Sequence, residues 1–227
     1  ESPFSDRITA LAFSPDGQSL AVGSGPPSRF GDVTLISLAD GSTTQSFGQV
    51  HSDSVLALEF SPDGRVLASA GADKMCQLLD INSGERLRSF EGHTHHILGL
   101  TWRDDGQLLA TASADATIKL WKSESAEQIR TIAGFPKEVT SIRFLGTSPQ
   151  LVSACADGRI RLYDSDSGKL IRAFSGASEA LFGLGVSKDG QRVYAGGQAG
   201  EVLYWNVKDA KVLGKFPNKV DGGGDHE

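Results

Sequence analysis

Five histidines are the chain's most conspicuous means of doing chemistry, and three of them, His93, His95 and His96, fall within four positions. Neutral imidazole is a common metal ligand and a proton carrier near neutral pH. A metal site needs three or four donors converging at bonding distance, and no Cys, Asp or Glu completes a set with this cluster. His95 and His96 also point to opposite sides if the stretch is extended. Neither a metal nor an axial haem contact is therefore expected. The other reactive groups are the thiols of Cys76 and Cys155. A reactive thiol wants a nearby base or a helix N-terminus, which the local sequence does not offer. Both read as small, buried, unpaired side chains. No catalytic residue and no cofactor site is named from these groups.

The elements that must position such residues are set by a repeat. Leu79, Trp121, Tyr163 and Trp205 are each 42 positions apart, and so are Phe60, Trp102, Phe144 and Val186. A third row, Phe90, Ile132, Phe174 and Phe216, keeps the same step. A period of about 40 to 45 residues with several short strands per unit marks the blade of a β-propeller. The fold class is therefore all-β, with five four-stranded antiparallel blades of about 42 residues each. Cys76 and Cys155 lie two repeats apart, and blades that are not neighbours cannot bring their Cβ atoms within about 4.5 Å.

Propeller blades occupy residues 1–217, as units 6–48, 49–91, 92–134, 135–176 and 177–217. Each opens with an apolar strand, such as Val55 to Phe60 or Ile97 to Trp102. A reversing turn follows, clearest in Ser14-Pro15-Asp16-Gly17 and Ser61-Pro62-Asp63-Gly64, where Pro presets φ and Gly closes the turn. The fourth unit has Leu145-Gly146-Thr147-Ser148-Pro149 there, which predicts a reversal of different geometry. Next comes a strand of small residues, such as Val66 to Ala70, expected to let sheets approach near a central axis. An Ala-Asp corner leads to an alternating third strand, Thr117 to Trp121 in the third unit, and then to an outermost fourth strand. In the first unit the period stretches to 47, and four of the five extra residues fall in Ser24 to Gly31. Surface loops accept such insertions cheaply. Residues 218–227 read as a flexible tail.

Composition bounds the function classes. Acidic residues outnumber basic ones 28 to 22, for a net charge of −6. Lys and Arg are scattered singly, which disfavours nucleic-acid binding. No apolar run reaches the roughly 18 residues of a membrane span, so no membrane insertion is expected. The chain starts at Glu1 rather than Met, which leaves a preceding targeting segment open.

With Gly92-His93, Ser113-Ala114-Asp115 and Ile118-Lys119-Leu120-Trp121, the third unit resembles the WD40 repeat family, and the resemblance runs over residues 6 to 217. It implies a structural tetrad of His93, Thr111, Asp115 and Trp121, joined by hydrogen bonds. Such a network makes a buried imidazole, carboxylate and indole N–H tolerable together. It mimics a catalytic triad, but each member has a structural role and no nucleophile is left over. The second unit keeps His51, Ser69 and Asp73 with Leu79 for Trp. The fourth keeps Ser153, Asp157 and Tyr163 with Phe135 for His, and the fifth keeps only Trp205. A closer resemblance, in Phe4 to Ile8, Gly92 to Ile97 and Gly134 to Ser141, is to bacterial propellers that follow a c-type cytochrome domain. It implies a multidomain protein that is periplasmic or exported. The chain has no Cys-x-x-Cys-His, so a haem attachment would lie outside it.

Three functions fit. The first is a noncatalytic scaffold for protein–protein interaction. Its partner face would be formed by residues just before each first strand, Arg7, Ser54, His96, Glu138 and Ala180, with Arg29 and Phe30 of the long loop. The second is a propeller module of a larger redox protein, and the third an enzyme with its site in the central channel. Channel chemistry would need converging carboxylates or histidines, and small residues on the innermost strands argue against it. WD40 rings usually have seven blades, so five units imply upstream blades, an unusual five-bladed ring or an open arc with unpaired faces. Upstream blades are the expectation adopted.

Overall fold

The structure, a computed structural model, describes residues 6–216, and the flexible-tail assignment lies outside them. Twenty strands form five separate four-stranded antiparallel sheets. Blade one holds β1 (Ile8–Phe13), β2 (Ser19–Ser24), β3 (Gly31–Ser37) and β4 (Thr43–His51). Blade two holds β5 (Val55–Phe60), β6 (Val66–Gly71), β7 (Cys76–Asp80) and β8 (Arg86–Phe90). Blade three holds β9 (Ile97–Trp102), β10 (Leu108–Ser113), β11 (Ile118–Lys122) and β12 (Gln128–Ile132). Blade four holds β13 (Val139–Phe144), β14 (Gln150–Cys155), β15 (Ile160–Asp164) and β16 (Leu170–Phe174), and blade five β17 (Leu181–Val186), β18 (Arg192–Gly197), β19 (Val202–Asn206) and β20 (Val212–Phe216). No helix among the described residues is long and apolar enough to cross a membrane.

Local sequence explains the reversals. In the first turn of blade two the Ser61 hydroxyl donates to Asp63 at 2.6 Å, and the Asp63 carboxylate accepts the Arg65 N–H at 3.1 Å. Gly64 closes the turn at a φ of 72°, in the left-handed region that favours glycine. The fourth-blade variant reverses as well, with Gly146 at 66° and the Ser148 N–H donating to the Leu145 carbonyl.

First strands pack on first strands, β1 on β5, β5 on β9, β9 on β13 and β13 on β17, so these five are innermost. The small residues of the second strands let facing sheets approach, as the sequence suggests, and they do so between neighbouring blades. Ala68, Ala70 and Cys76 of blade two are buried against Ile97, Leu100 and Trp102 of blade three. Ala110, Ala112 and Leu120 of blade three meet Val139, Ile142 and Phe144 of blade four in the same way. The core is thus four blade-to-blade layers, in which small side chains let broad sheets close on bulky ones.

Blade one departs from the others as its sequence requires. The long loop runs from Gly25 to Phe30, and β3 and β4 pair with three register shifts where the other blades show one. Lys74, at the second corner, holds a φ of 72° where blades four and five place Gly158 and Gly200. It is exposed. Lys74→Gly is therefore expected to stabilise the fold by about 0.5 to 1 kcal/mol, after the glycine's greater freedom in the unfolded chain is deducted. A denaturant midpoint that falls instead would show that the lysine is anchored there.

Candidate functional site

In blade three the linker between β8 and β9, the second strand, the corner and the third strand converge on one buried network. The Trp121 indole N–H donates to Thr111 Oγ1 at 2.9 Å, and Thr111 Oγ1 lies 2.8 Å from His93 Nε2. His93 Nδ1 is 2.8 Å from Asp115 Oδ2. The carboxylate also accepts the Thr94 and Thr117 N–H groups and the Thr117 hydroxyl. One proton arrangement satisfies every member with a neutral imidazole, the state that burial of the ring favours. Trp121 donates to Thr111, Thr111 donates to His93 Nε2, and His93 donates from Nδ1 to Asp115. The histidine is neutral in that arrangement.

Blade two repeats the motif without the indole. His51 Nε2 is 2.8 Å from the Ser69 hydroxyl, and Nδ1 is 3.0 Å from Asp73. A serine, a histidine and an aspartate in line at such distances have the geometry of a nucleophile, base and orienting acid. Solvent access decides against that chemistry. Ser69 and Thr111 are fully buried, and so are both imidazole rings. No substrate carbonyl can reach either hydroxyl without opening the interface between blades.

Blade four solves the problem by a residue that sequence reasoning passes over. Phe135 and Tyr163 stand in the histidine and tryptophan positions, with ring centres 5.6 Å apart. Arg161, on β15, donates two hydrogen bonds to Asp157 and lies 5.4 Å from the Phe135 ring centre. Burial alone would raise the Asp157 carboxyl, but the Arg161 guanidinium, the Cys155 thiol and the Arg159 N–H together outweigh it and hold it below the ordinary range. The Ser153 hydroxyl is left buried with no partner. In blade five the Trp205 indole donates to the Ser175 carbonyl at 2.8 Å instead.

Burial pushes the His93 pKa below the usual 6.5, and Asp115 only partly offsets it. The native state therefore resists protonation while the unfolded chain accepts it, so stability is full above pH 6.5 and falls as pH drops toward the depressed value. Asp73 and Asp115 follow at lower pH. Burial opposes their ionisation, yet their hydrogen bonds hold both carboxyls below 3.8, and their contribution is lost as pH falls through those values. Urea midpoints should thus decline from pH 7.5 to pH 5. A profile that stays flat in Glu59→Gln, where no raised carboxyl opposes the trend, would contradict the buried neutral imidazole.

Near the axis the sequence reading needs correction. The innermost strands are not lined by small residues alone. Glu59 on β5 accepts the Thr101 hydroxyl at 3.1 Å and the Trp102 N–H at 3.0 Å, both from β9. Arg143 on β13 donates to the Leu100 carbonyl and lies 3.6 Å from Glu59, so one pair bridges blades two and four across blade three. Burial pushes the Glu59 pKa up despite Arg143. The signal was in the sequence: Glu59, Thr101 and Arg143 occupy one repeat position, as acid, hydroxyl and base. Protonation of Glu59 favours the native state, so Glu59→Gln is the background in which the histidine profile reads most clearly.

The other candidates are dispersed. His95 and His96 do not diverge: the chain bends there, their ring centres are 4.4 Å apart, and the His96 N–H donates to His95 Nδ1. No group of three or more metal-ligating side chains occurs among the described residues. Cys76 and Cys155 are free and buried, and burial raises both thiols. Arg7, Arg29 and Glu138 are exposed and His96, Phe30 and Ala180 half-buried on the corner face. Ser54 is a correction to that partner face. It is buried, and its hydroxyl donates to the Gly25 carbonyl at 3.1 Å, holding the long loop together with Asp53, which accepts the Ser28 N–H.

Between blades two and three, on the opposite face, lies a groove of about 610 Å³ that sequence reasoning did not find. Val66, Leu78, Leu87 and Trp102 give it an apolar floor and wall, and Asp63, Asp104, Asp105 and Glu124 rim it. Asp105 is paired with Arg103 at 2.6 Å. Arg88 also lines the groove, its guanidinium donating to the Glu124 and Leu87 carbonyls.

Residues 2–25, 84–122 and 126–164 match the family model described as WD domain, G-beta repeat. Residues 47–102 match the model of the anaphase-promoting complex subunit 4 WD40 domain. No curated protein matches the chain.

Proposed function

We propose that these WD40-type propeller blades form a noncatalytic platform for protein–protein interaction. The observation that carries this reading is the sealing of every His-hydroxyl-Asp constellation inside a blade interface, where both ring nitrogens of His51 and His93 are committed to hydrogen bonds. Repeats of this type commonly mediate protein interactions, which supports the same reading. The groove between blades two and three is the seat of the partner. Its apolar floor suits one large apolar side chain, and its rim favours lysine or arginine beside it.

Two measurements test this. A fluorophosphonate probe, which labels accessible activated serines, should leave Ser69 unmodified, and labelling there would overturn the noncatalytic reading. Peptides carrying one aromatic residue flanked by lysines should bind, and their affinity should fall several-fold in Asp104→Asn/Glu124→Gln and with added salt. Equal binding of glutamate-flanked peptides would remove the groove from the account. The likeness of Phe4 to Ile8, Gly92 to Ile97 and Gly134 to Ser141 to cytochrome-linked propellers supports a second reading, a platform serving an attached redox domain. Covalent haem on the natural polypeptide is its test.

A further inference from the structure

Two repeats on from the groove between blades two and three, the same positions open a second groove, of about 410 Å³, between blades four and five. Leu162 and Ile171 stand where the first groove has Leu78 and Leu87, and Arg172 stands where it has Arg88. The rim, however, is inverted in charge. Three acids of the first rim, Asp63, Asp104 and Glu124, have Thr147, Lys188 and Lys208 as their repeat counterparts. Lys208 lines the second groove, and Lys188 borders it in the turn that supplies Gly190. Both lysines are exposed.

No acidic side chain among the described residues lines this groove. The two acids nearest in sequence are occupied in their own turns. Asp189 accepts the Ser187 hydroxyl at 2.5 Å and the Gln191 N–H at 3.0 Å, and Asp209 accepts the Lys211 N–H at 3.0 Å. Arg172 donates one hydrogen bond, to the Val207 carbonyl at 2.9 Å, where Arg88 donates two, which leaves guanidinium donors for a ligand. In a chain of net charge −6 this is a local reversal of the surface field. Ile171, 43% exposed, adds an uncovered apolar spot over the buried Leu162.

We propose that the groove between blades four and five seats an acidic peptide segment of a partner protein. Its Asp or Glu side chains pair with Lys188, Lys208 and Arg172, and one branched aliphatic side chain lies over Leu162 and Ile171. The proposal rests on the platform reading and adds to it a second seat of opposite sign. The first groove is larger and has the Trp102 indole in its wall, so the ligands of the two grooves differ in shape as well as charge. A segment cannot exchange seats, because like charges on the wrong rim repel.

Two fluorescent peptides test this by anisotropy at low salt, one with leucine flanked by glutamates and one with tryptophan flanked by lysines. The glutamate peptide should bind, and Lys188→Glu/Lys208→Glu should weaken it roughly fivefold or more without weakening the lysine peptide. Lys137→Glu/Arg159→Glu makes the same change in net charge on the corner face and should leave the glutamate peptide within about twofold. All four side chains are exposed, so the unfolding midpoints of both double variants should stay in place. Equal weakening by the two double variants would reduce the effect to net charge and overturn the proposal. So would unaltered binding in Lys188→Glu/Lys208→Glu, or complete displacement of the peptide by inorganic phosphate at matched ionic strength, since the groove would then be a simple anion site. Failure of the glutamate peptide alone would remove this seat and leave the platform standing, whereas failure of both peptides would remove the platform as well.

Discussion

Thr111→Val will destabilise the fold by about 2 to 4 kcal/mol, although valine has nearly the same shape and the site keeps its packing. The reason is that one hydroxyl serves two buried groups. It accepts the Trp121 indole N–H and donates to His93 Nε2, and its loss strands both in a buried interior. An unpaired buried donor or acceptor costs about 1 to 3 kcal/mol each. The equivalent change in blade four, Ser153→Ala, should be neutral or stabilising, because that hydroxyl already has no partner. Denaturant midpoints of the two variants, measured side by side, separate a network from a coincidence of proximity. Equal costs at the two positions would mean that the hydrogen bonds of blade three contribute little.

Arg161→Met should cost about 2 to 3 kcal/mol, for a different reason. Asp157 and Arg161 are both 12% exposed at their side chains, and they meet through two hydrogen bonds. Removing the cation leaves a mostly buried carboxylate with only the Arg159 N–H and the neighbouring thiol near it. Breaking such a pair from one side is more costly than never having it, and partial solvent access keeps the figure below that of a fully buried pair. Arg161→Met with Asp157→Asn should therefore recover most of the loss. A double variant as unstable as the single one would point to the contact of Arg161 with Phe135, not the ion pair, as the stabilising element.

The contrast between these blades shows what was legible in the sequence. Strand order and blade number could be read because the 42-residue step repeats in three independent rows, and turn chemistry because Asp and Gly recur at fixed offsets. The tetrad of blade three was legible through its motif. What escaped were contacts between side chains far apart in sequence. Arg161 reads as an ordinary polar position of an alternating strand until Phe135 is seen to leave Asp157 without its histidine. Glu59 and Arg143 look like isolated charges until the first strands are placed side by side around the axis. The bend before His96 recurs one repeat away at Ser52-Asp53 and at Pro136-Lys137, a regularity of the linkers that residue types alone do not announce. The burial of Ser54 follows from the long loop of blade one folding over it, a consequence of an insertion 29 residues upstream.

The protonation state of the His93 ring is the most direct measure of whether these constellations hold blades together or act on a substrate. Nitrogen chemical shifts of the imidazole, followed by NMR from pH 8 to pH 5, should show a neutral ring with its proton on Nδ1 that resists titration below 6.5. An imidazole that titrates at its ordinary pKa, or that carries its proton on Nε2 at neutral pH, would mean a ring free of Thr111 and Asp115 and would contradict the structural role assigned to it.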